Sequence, residues 1–384
     1  MFEKKDRLLI IIVSVLVIFL LILAPIFTKK VFFADTTDYL GVAKYFNDDL
    51  KSVIRNTHNW DYGLFLSFFL KIWNSIIFLR IINSIWLILT GLILYKLHKD
   101  SKLLLIWFLS PIMWYMAPYV HPLPMSTFFL ILSYYFLKKY DSNKFIINLL
   151  ISGFLLGIST LVWDGMLILS IFFILAFFYN KKLKEAFYFM IFFGLSFSVK
   201  LITDFVLFNF PLFSIFRQLG STFLFVLKKA AFDDPNSNNF LLHFIPINLV
   251  FYLFAITPFL FIIYRAIKKN KEESAFVLMV LLFFIFNNQP RYALIIAPIA
   301  ILLISKEIKK NELIINSIVS FIMILFLIYP AFFYLEDYKI SKDLKKVGND
   351  FPNETFLAGS STKGYEDDYL VFSTLYKGDE IKEF

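Results

Sequence analysis

Two carboxylates three residues apart, Asp35 and Asp38, stand in the stretch Phe33-Ala34-Asp35-Thr36-Thr37-Asp38-Tyr39. A carboxylate held beside a membrane cavity can serve as general base for an acceptor hydroxyl. The same spacing suits a helix start, with Asp35 as N-cap and Asp38 as its capping-box partner. Both readings hold together where different oxygens, or different aspartates, do the two jobs. Far along the chain, Arg291 and Tyr292 end the polar run Asn287-Asn288-Gln289-Pro290. A guanidinium there can grip a phosphate bidentately or snorkel to lipid headgroups. His121, after Tyr119 and before Pro122, is either a polar wall residue or a satisfied interfacial histidine. Asp164, between Trp163 and Gly165, is either a site carboxylate or a helix-turn residue near water. Lys200 and Asp204 lie four apart, the spacing of a self-satisfying ion pair on one helix face. Arg80 can snorkel from the outer end of its span. The 4 histidines are widely separated, and no phosphate loop, dinucleotide fingerprint or nucleophile elbow occurs.

The elements that must position these groups are membrane helices. The chain of 384 residues is 59% hydrophobic and 20% aromatic but only 17% charged, too little polar surface for a soluble domain of this size. Apolar runs of spanning length recur, about eleven in all: 8–27, 75–97, 102–118, 124–138, 145–162, 165–179, 186–208, 246–266, 274–286, 292–305 and 313–333. The first is too long for a signal-peptide core and lacks a small-residue cleavage site, which predicts a retained helix. The net charge of +9 is not one basic patch and excludes a nucleic-acid footprint. It recurs as clusters at Lys4/Lys5/Arg7, Lys96/Lys99/Lys102, Lys138/Lys139/Lys144, Lys181/Lys182/Lys184, Arg265/Lys268/Lys269/Lys271 and Lys306/Lys309/Lys310. All fall on one side when the N-terminus is cytoplasmic, as the positive-inside rule requires, and an odd number of spans puts the C-terminus outside. The absence of cysteine removes disulfides and thiolate metal sites.

The expected organisation is a transmembrane domain over 1–333, with a first outer loop at 28–74 and a second large outer loop at 209–245. A small extracytoplasmic segment follows at 334–384. In the first loop, Tyr39, Val42/Ala43, Phe46 and Leu50 recur at helical spacing and predict a helix on the outer membrane surface. Trp60–Leu70 is apolar but too short to span, so it lies in the interface or dips into the bilayer. In the last segment, Glu336–Val347 reads as a helix and Thr355–Ala358 and Tyr369–Leu375 as short strands.

Four hairpin runs, 124–138, 165–179, 274–286 and 292–305, reach only roughly 20–22 Å as helix, short of a ~30 Å hydrocarbon core. With their basic ends anchored, the outer turns holding His121, Asp164 and Arg291 are recessed. Polar backbone at that depth needs a protein-lined or watery cavity. The pattern therefore predicts an outward-facing cavity with polar walls.

The order of these features resembles the polytopic glycosyltransferases of the GT-C class, which use polyprenyl-phosphate sugars. Asp35 with Tyr39 and Ala43 matches the acidic residue heading that family's first outer loop, and Trp60–Leu70 its second loop helix. Ser110-Pro111, Tyr119 and His121 look like the third span and its following turn, and Gly153–Ser159 like the glycine-containing fifth span. Arg291-Tyr292 with Pro298 is similar to the late Arg-Tyr before an apolar run with proline. Where the family often continues with Arg-Pro-Glu, this chain has Trp163-Asp164-Gly165.

The resemblance implies an all-α, GT-C-like membrane protein with a small α/β tail on the outer face. It implies a multi-pass enzyme of the cell membrane that moves a sugar from a polyprenyl-phosphate donor to a glycan, lipid or protein acceptor. Asp35 would be the base, with Arg291, Tyr292, His121, Asp38 and Asp164 binding substrate. The transfer would invert the anomeric centre and use neither metal nor other cofactor. A transporter or flippase for a lipid-linked or anionic solute, with Arg291 and Lys200 along its pathway, is the alternative. A non-catalytic scaffold whose tail binds a partner is a third.

Overall fold

A computed structural model describes residues 4–28, 36–47, 60–217, 220, 254–267, 269–270, 273–275, 277 and 290–333. The 334–384 segment, with its expected helix and strands, lies outside the described residues, as do Asp35 and most of the loop at 209–245. Among the described residues every regular element is helical. In chain order the helices are α1 Lys4–Phe27, α2 Thr36–Tyr45, α3 Trp60–Ile72, α4 Ile76–His98, α5 Ser101–Phe108, α6 Pro111–Met116, α7 Pro122–Asn143, α8 Ile146–Val162, α9 Met166–Tyr179 and α10 Leu183–Phe208. A short helix Ile263–Ile267 follows, then α11 Ala293–Glu307 and α12 Lys310–Phe333. Three stretches, Ile10–Phe27, Ile76–His98 and Leu183–Phe208, are long and apolar enough to cross a membrane.

Two spans differ from their expected form. The run 102–118 is broken at Ser110 into α5 and α6, because Pro111 has no N–H to donate and opens a new helix at its first position. Ser110 Oγ uses the break to donate to the Ile256 carbonyl at 2.6 Å. The run 124–138 is not short: α7 has 22 residues, about 33 Å at 1.5 Å per residue, because its last turns continue through Lys138–Asn143 beyond the apolar stretch. The argument from short hairpins survives for α9, with 14 residues, and α11, with 15, but not for α7.

The centre of the packing is α8, which lies between α7 and α10. Toward α7 it presents Ser152 and Ser159, which face Ser133 and Ser126. Each hydroxyl donates to the opposing serine's carbonyl, at 2.7–2.8 Å. The seven-residue spacing on both helices keeps the seam in step. Toward α10 it presents Gly153 and Gly157, where any Cβ would collide with the backbone at Phe189 and Phe193. Small residues at four-residue spacing let two helix backbones meet, which matters in lipid, where burial of apolar surface alone does not drive association.

The other buried axis is α11, whose residues are buried from Ala293 to Ser305. Its last carbonyls meet Lys102, whose Nζ donates to Ser305 O at 2.6 Å, a favourable charge at a helix C-terminus. The same end of the bundle gathers the other basic loops. Lys306 donates to Asn270, Lys269 pairs with Glu307, Arg265 with Glu312, Lys138 with Glu273 and Lys182 with Asp141. Lys99 and Lys144 close α4 and α7 in left-handed conformation. Five of the six basic clusters therefore share one end, the arrangement the charge pattern requires of loops on one side of a membrane. The sixth, at Lys4/Lys5/Arg7, has no described side chains.

Candidate functional site

The turns at the opposite end carry the residues singled out by sequence. His121 is the N-cap of α7: its Nδ1 accepts from the Leu123 N–H at 3.2 Å. That bond occupies the Nδ1 lone pair, so a neutral ring carries its proton on Nε2. The ring meets Tyr39 of α2 edge-on, with centroids 5.8 Å apart. Beside it, Thr36 Oγ1 donates to the Val120 carbonyl at 2.9 Å. The start of α2 is thus tied to the His121 turn. Asp38 lies within α2, but its side chain is outside the description.

The helix α2 does not lie on the outer surface as its periodicity predicts. Every residue from Tyr39 to Lys44 is buried, Lys44 included. The cause is α3, which packs along it so closely that a Cβ at Gly63 would overlap the Val42 side chain. Tyr39 meets Tyr62 of α3 edge-on at 5.2 Å, and the Tyr62 phenol is hydrogen-bonded to the backbone of His121. Phe68, Ile72 and Trp73 on the far face of α3 remain exposed, an aromatic and aliphatic face suited to a membrane interface.

One residue before Tyr62, Asp61 enters a buried charge cluster that the sequence did not reveal. Lys200 Nζ lies 3.1 Å from Asp61 Oδ2 and 2.6 Å from Asp164 Oδ1, and the lysine side chain is 0% exposed. The expected pairing of Lys200 with Asp204 is replaced by these two. Asp204 instead accepts from the Ser214 backbone N–H at 3.0 Å and its hydroxyl at 2.8 Å. As formal charges, two carboxylates around one ammonium leave the cluster negative, and Asp61 Oδ1 is buried without a hydrogen-bond partner among the described residues. Asp164 is therefore a buried partner of α10 and not a turn residue near water.

The Asp164 turn in turn meets the Arg291 turn. Trp163 stacks on Tyr292 with ring centroids 5.2 Å apart and planes at 28°. The Arg291 guanidinium lies 5.4 Å from the Tyr292 ring centroid. Arg291 is only 8% exposed, which answers the question between snorkelling and burial in favour of burial. Arg80 is buried too, and its Nη1 donates to the Thr28 carbonyl at 3.4 Å.

The contacts form one path: Tyr39 to His121, His121 to Tyr62, Asp61 to Lys200, Lys200 to Asp164, and Trp163 to Tyr292 beside Arg291. Four of the expected site residues, His121, Asp164, Arg291 and Tyr292, thus stand along one end of the bundle. The cluster ties α3, α10 and the Asp164 turn together, and Arg291 supplies a buried guanidinium of the type that binds phosphate. Sequence reasoning missed Asp61 and Lys44. An acid in the first turn of α3 reads as a complement to the helix dipole, and a lysine at the end of α2 reads as a solvated C-terminal charge. No protein-family model matches the chain, and no curated protein matches it.

Proposed function

We propose that this chain is a polytopic membrane glycosyltransferase of the GT-C type. It takes a sugar from a polyprenyl-phosphate donor and transfers it to an acceptor hydroxyl at the extracytoplasmic face. The observation that carries this reading is the shared location of the α2 start, His121, Asp164 and Arg291-Tyr292, at the end opposite the lysine-rich loops. Thr36, bonded to Val120, is the immediate neighbour of Asp35. Thr36 at the start of α2 thus stands at the same end as the buried guanidinium, which supports the reading of Asp35 as the base.

In the proposed step Asp35 accepts the proton of the acceptor hydroxyl as its oxygen attacks the anomeric carbon. The new C–O bond forms on the face opposite the breaking bond to phosphate oxygen. The electron pair of that bond leaves with the polyprenyl phosphate, and the configuration inverts. Arg291 meets the charge that grows on the leaving phosphate. Such a leaving group is stabilised without a divalent cation in this scheme.

The transporter reading fares less well against α11. Every residue from Ala293 to Ser305 is buried, and none from Ala293 to Ile304 is polar, so this central helix offers no polar lining between the two ends. A pathway for an anionic solute needs such a lining.

The test uses the full chain in bicelles with short-chain polyprenyl-phosphate hexoses, reading release of polyprenyl phosphate with and without a membrane-extract acceptor. Wild type releases it. Asp35→Asn reaches the membrane and releases it at least about 100-fold more slowly, the lower range for loss of a general base. Undiminished release by Asp35→Asn removes the role assigned to Asp35.

A further inference from the structure

A second place with ligand-binding character lies at the lysine-rich end. A cavity of about 520 Å³ opens between α7, α9 and α11, with Glu273 and Ala275 as its fourth wall. Its volume is in the range of small-ligand sites, roughly 300–1,000 Å³. The apolar wall is formed by Leu137 on α7, by Phe172, Phe173, Ala176 and Phe177 on α9, and by Ile299 on α11. The polar rim is formed by Asp141, Asn180, Lys182 and Glu273.

Two observations identify what fits this shape. The first is α9, whose sequence Met166–Tyr179 is apolar around its whole circumference save for Ser170. A helix apolar on every face must be covered on every face. Beyond Ser170 only Phe177 is buried, while Ile171, Leu175, Phe178 and Tyr179 are exposed. The cytoplasmic half of α9 is thus covered by lipid, and the cavity is a recess in that lipid-facing wall. The second is charge. Lys182 lines the recess, Lys138 and Lys144 reach its rim at Glu273 and Asp141, and Lys139, Lys181 and Lys184 lie in the same two loops, against the acids Asp141, Glu185 and Glu273. Lys182 and Asp141 pair at 3.3 Å and Lys138 with Glu273 at 3.4 Å, and the remaining surplus is positive. Basic pockets between membrane helices on the cytoplasmic side are suited to anionic headgroups.

We infer that this recess binds an anionic phospholipid of the adjacent leaflet, with one acyl chain between α7 and α9 and its phosphate among the lysines. The site is separate from the end of the bundle that holds Arg291 and does not depend on the function proposed for it. Bound there, the lipid fills the gap between α7 and α9, both of which pack on α8.

The experiment reconstitutes the full chain in phosphatidylcholine vesicles containing a minor fraction of phosphatidylglycerol. After mild detergent extraction, the retained lipid is counted by native mass spectrometry. Retained lipid is expected to be enriched in phosphatidylglycerol over the vesicle composition. Lys182→Gln lowers that enrichment about fivefold, the weight of one basic residue at an anionic surface. Ala176→Trp, at an exposed position that tolerates a larger side chain without disturbing the core, occupies the recess and removes the retained lipid. Retention that matches the vesicle composition overturns the proposal, as does wild-type enrichment in both variants. Should Ala176→Trp not fold, Lys182→Gln alone decides.

Discussion

Lys200 Nζ and Asp164 Oδ1 are 2.6 Å apart inside the protein, and the second carboxylate, Asp61 Oδ2, is 3.1 Å from the same ammonium. The contact joins three elements that are distant in sequence: α10, the turn between α8 and α9, and the first turn of α3. Desolvating all three groups is costly, and their mutual attraction offsets that cost only while the set is complete. Lys200→Met leaves two buried carboxylates facing each other and is expected to lower stability by about 3–5 kcal/mol. Adding Asp61→Asn and Asp164→Asn to that variant removes the stranded charges and restores most of the loss. Unfolding in mixed micelles of increasing denaturing-detergent content measures both. A Lys200→Met protein as stable as wild type would mean that the cluster contributes nothing to stability.

The cluster also marks where sequence reasoning stops. Helix i to i+4 spacing nominated Asp204 as the partner of Lys200, because local geometry is all that spacing can address. The pairing seen depends on residues 139 and 36 positions away, and on Ser214 engaging Asp204. The same holds for α2. Its apolar period describes one face, whereas its burial on further faces comes from α3 folding across it, a contact that Gly63 permits, and from the Val120–Met125 turn on another side. Apolar runs located α4, α8, α9 and α10 to within about three residues, since lysines bound them and hydropathy registers the membrane edge. Hydropathy does not register helix ends, so Lys138–Asn143 continued α7 unnoticed. Pro111 at the start of α6 was legible as a helix-opening residue, and the length of the surrounding apolar run concealed it. The shared end of His121, Asp164 and Arg291 followed from counting hairpins, while the stack of Trp163 on Tyr292 that joins two of those turns did not.

Close approach of α8 and α10 rests on two glycines. A Cβ at Gly157 would meet Ser196 and the Phe193 carbonyl, and backbone cannot move aside without separating the helices. Gly157→Leu is expected to force α10 away from α8, lengthen the Lys200–Asp164 contact and lower both yield and stability. Gly194, with open space around its Cβ position, is the matched control: Gly194→Leu leaves yield unchanged. Size-exclusion profiles and thermal aggregation of the two purified variants make the comparison. The opposite seam of α8 answers differently. Ser159→Ala removes two hydroxyl contacts without steric conflict and costs about 0.6 kcal/mol, near the average for such bonds in membrane helices.

At the lysine-rich end, Glu312 supplies a pH-dependent contact. The Lys309 backbone N–H, 2.9 Å from its carboxylate, holds the Glu312 pKa below the usual carboxyl range, and Arg265 at 2.8 Å adds to the effect. A group whose pKa is depressed on folding stabilises the folded chain fully above its unfolded value. That contribution is lost as pH falls through the lowered folded value. The difference in melting temperature between wild type and Glu312→Gln should therefore be positive at neutral pH and shrink toward zero under acid. The stability difference behind it at neutral pH is small, about 0.2–1 kcal/mol, because the pair with Arg265 faces solvent and is screened. Raising the ionic strength at neutral pH reduces the Arg265 share of that difference. The Lys309 share, a hydrogen bond to charge within one turn, persists. A difference that grows as pH falls would place the stabilising form of Glu312 in the protonated state, contrary to this geometry.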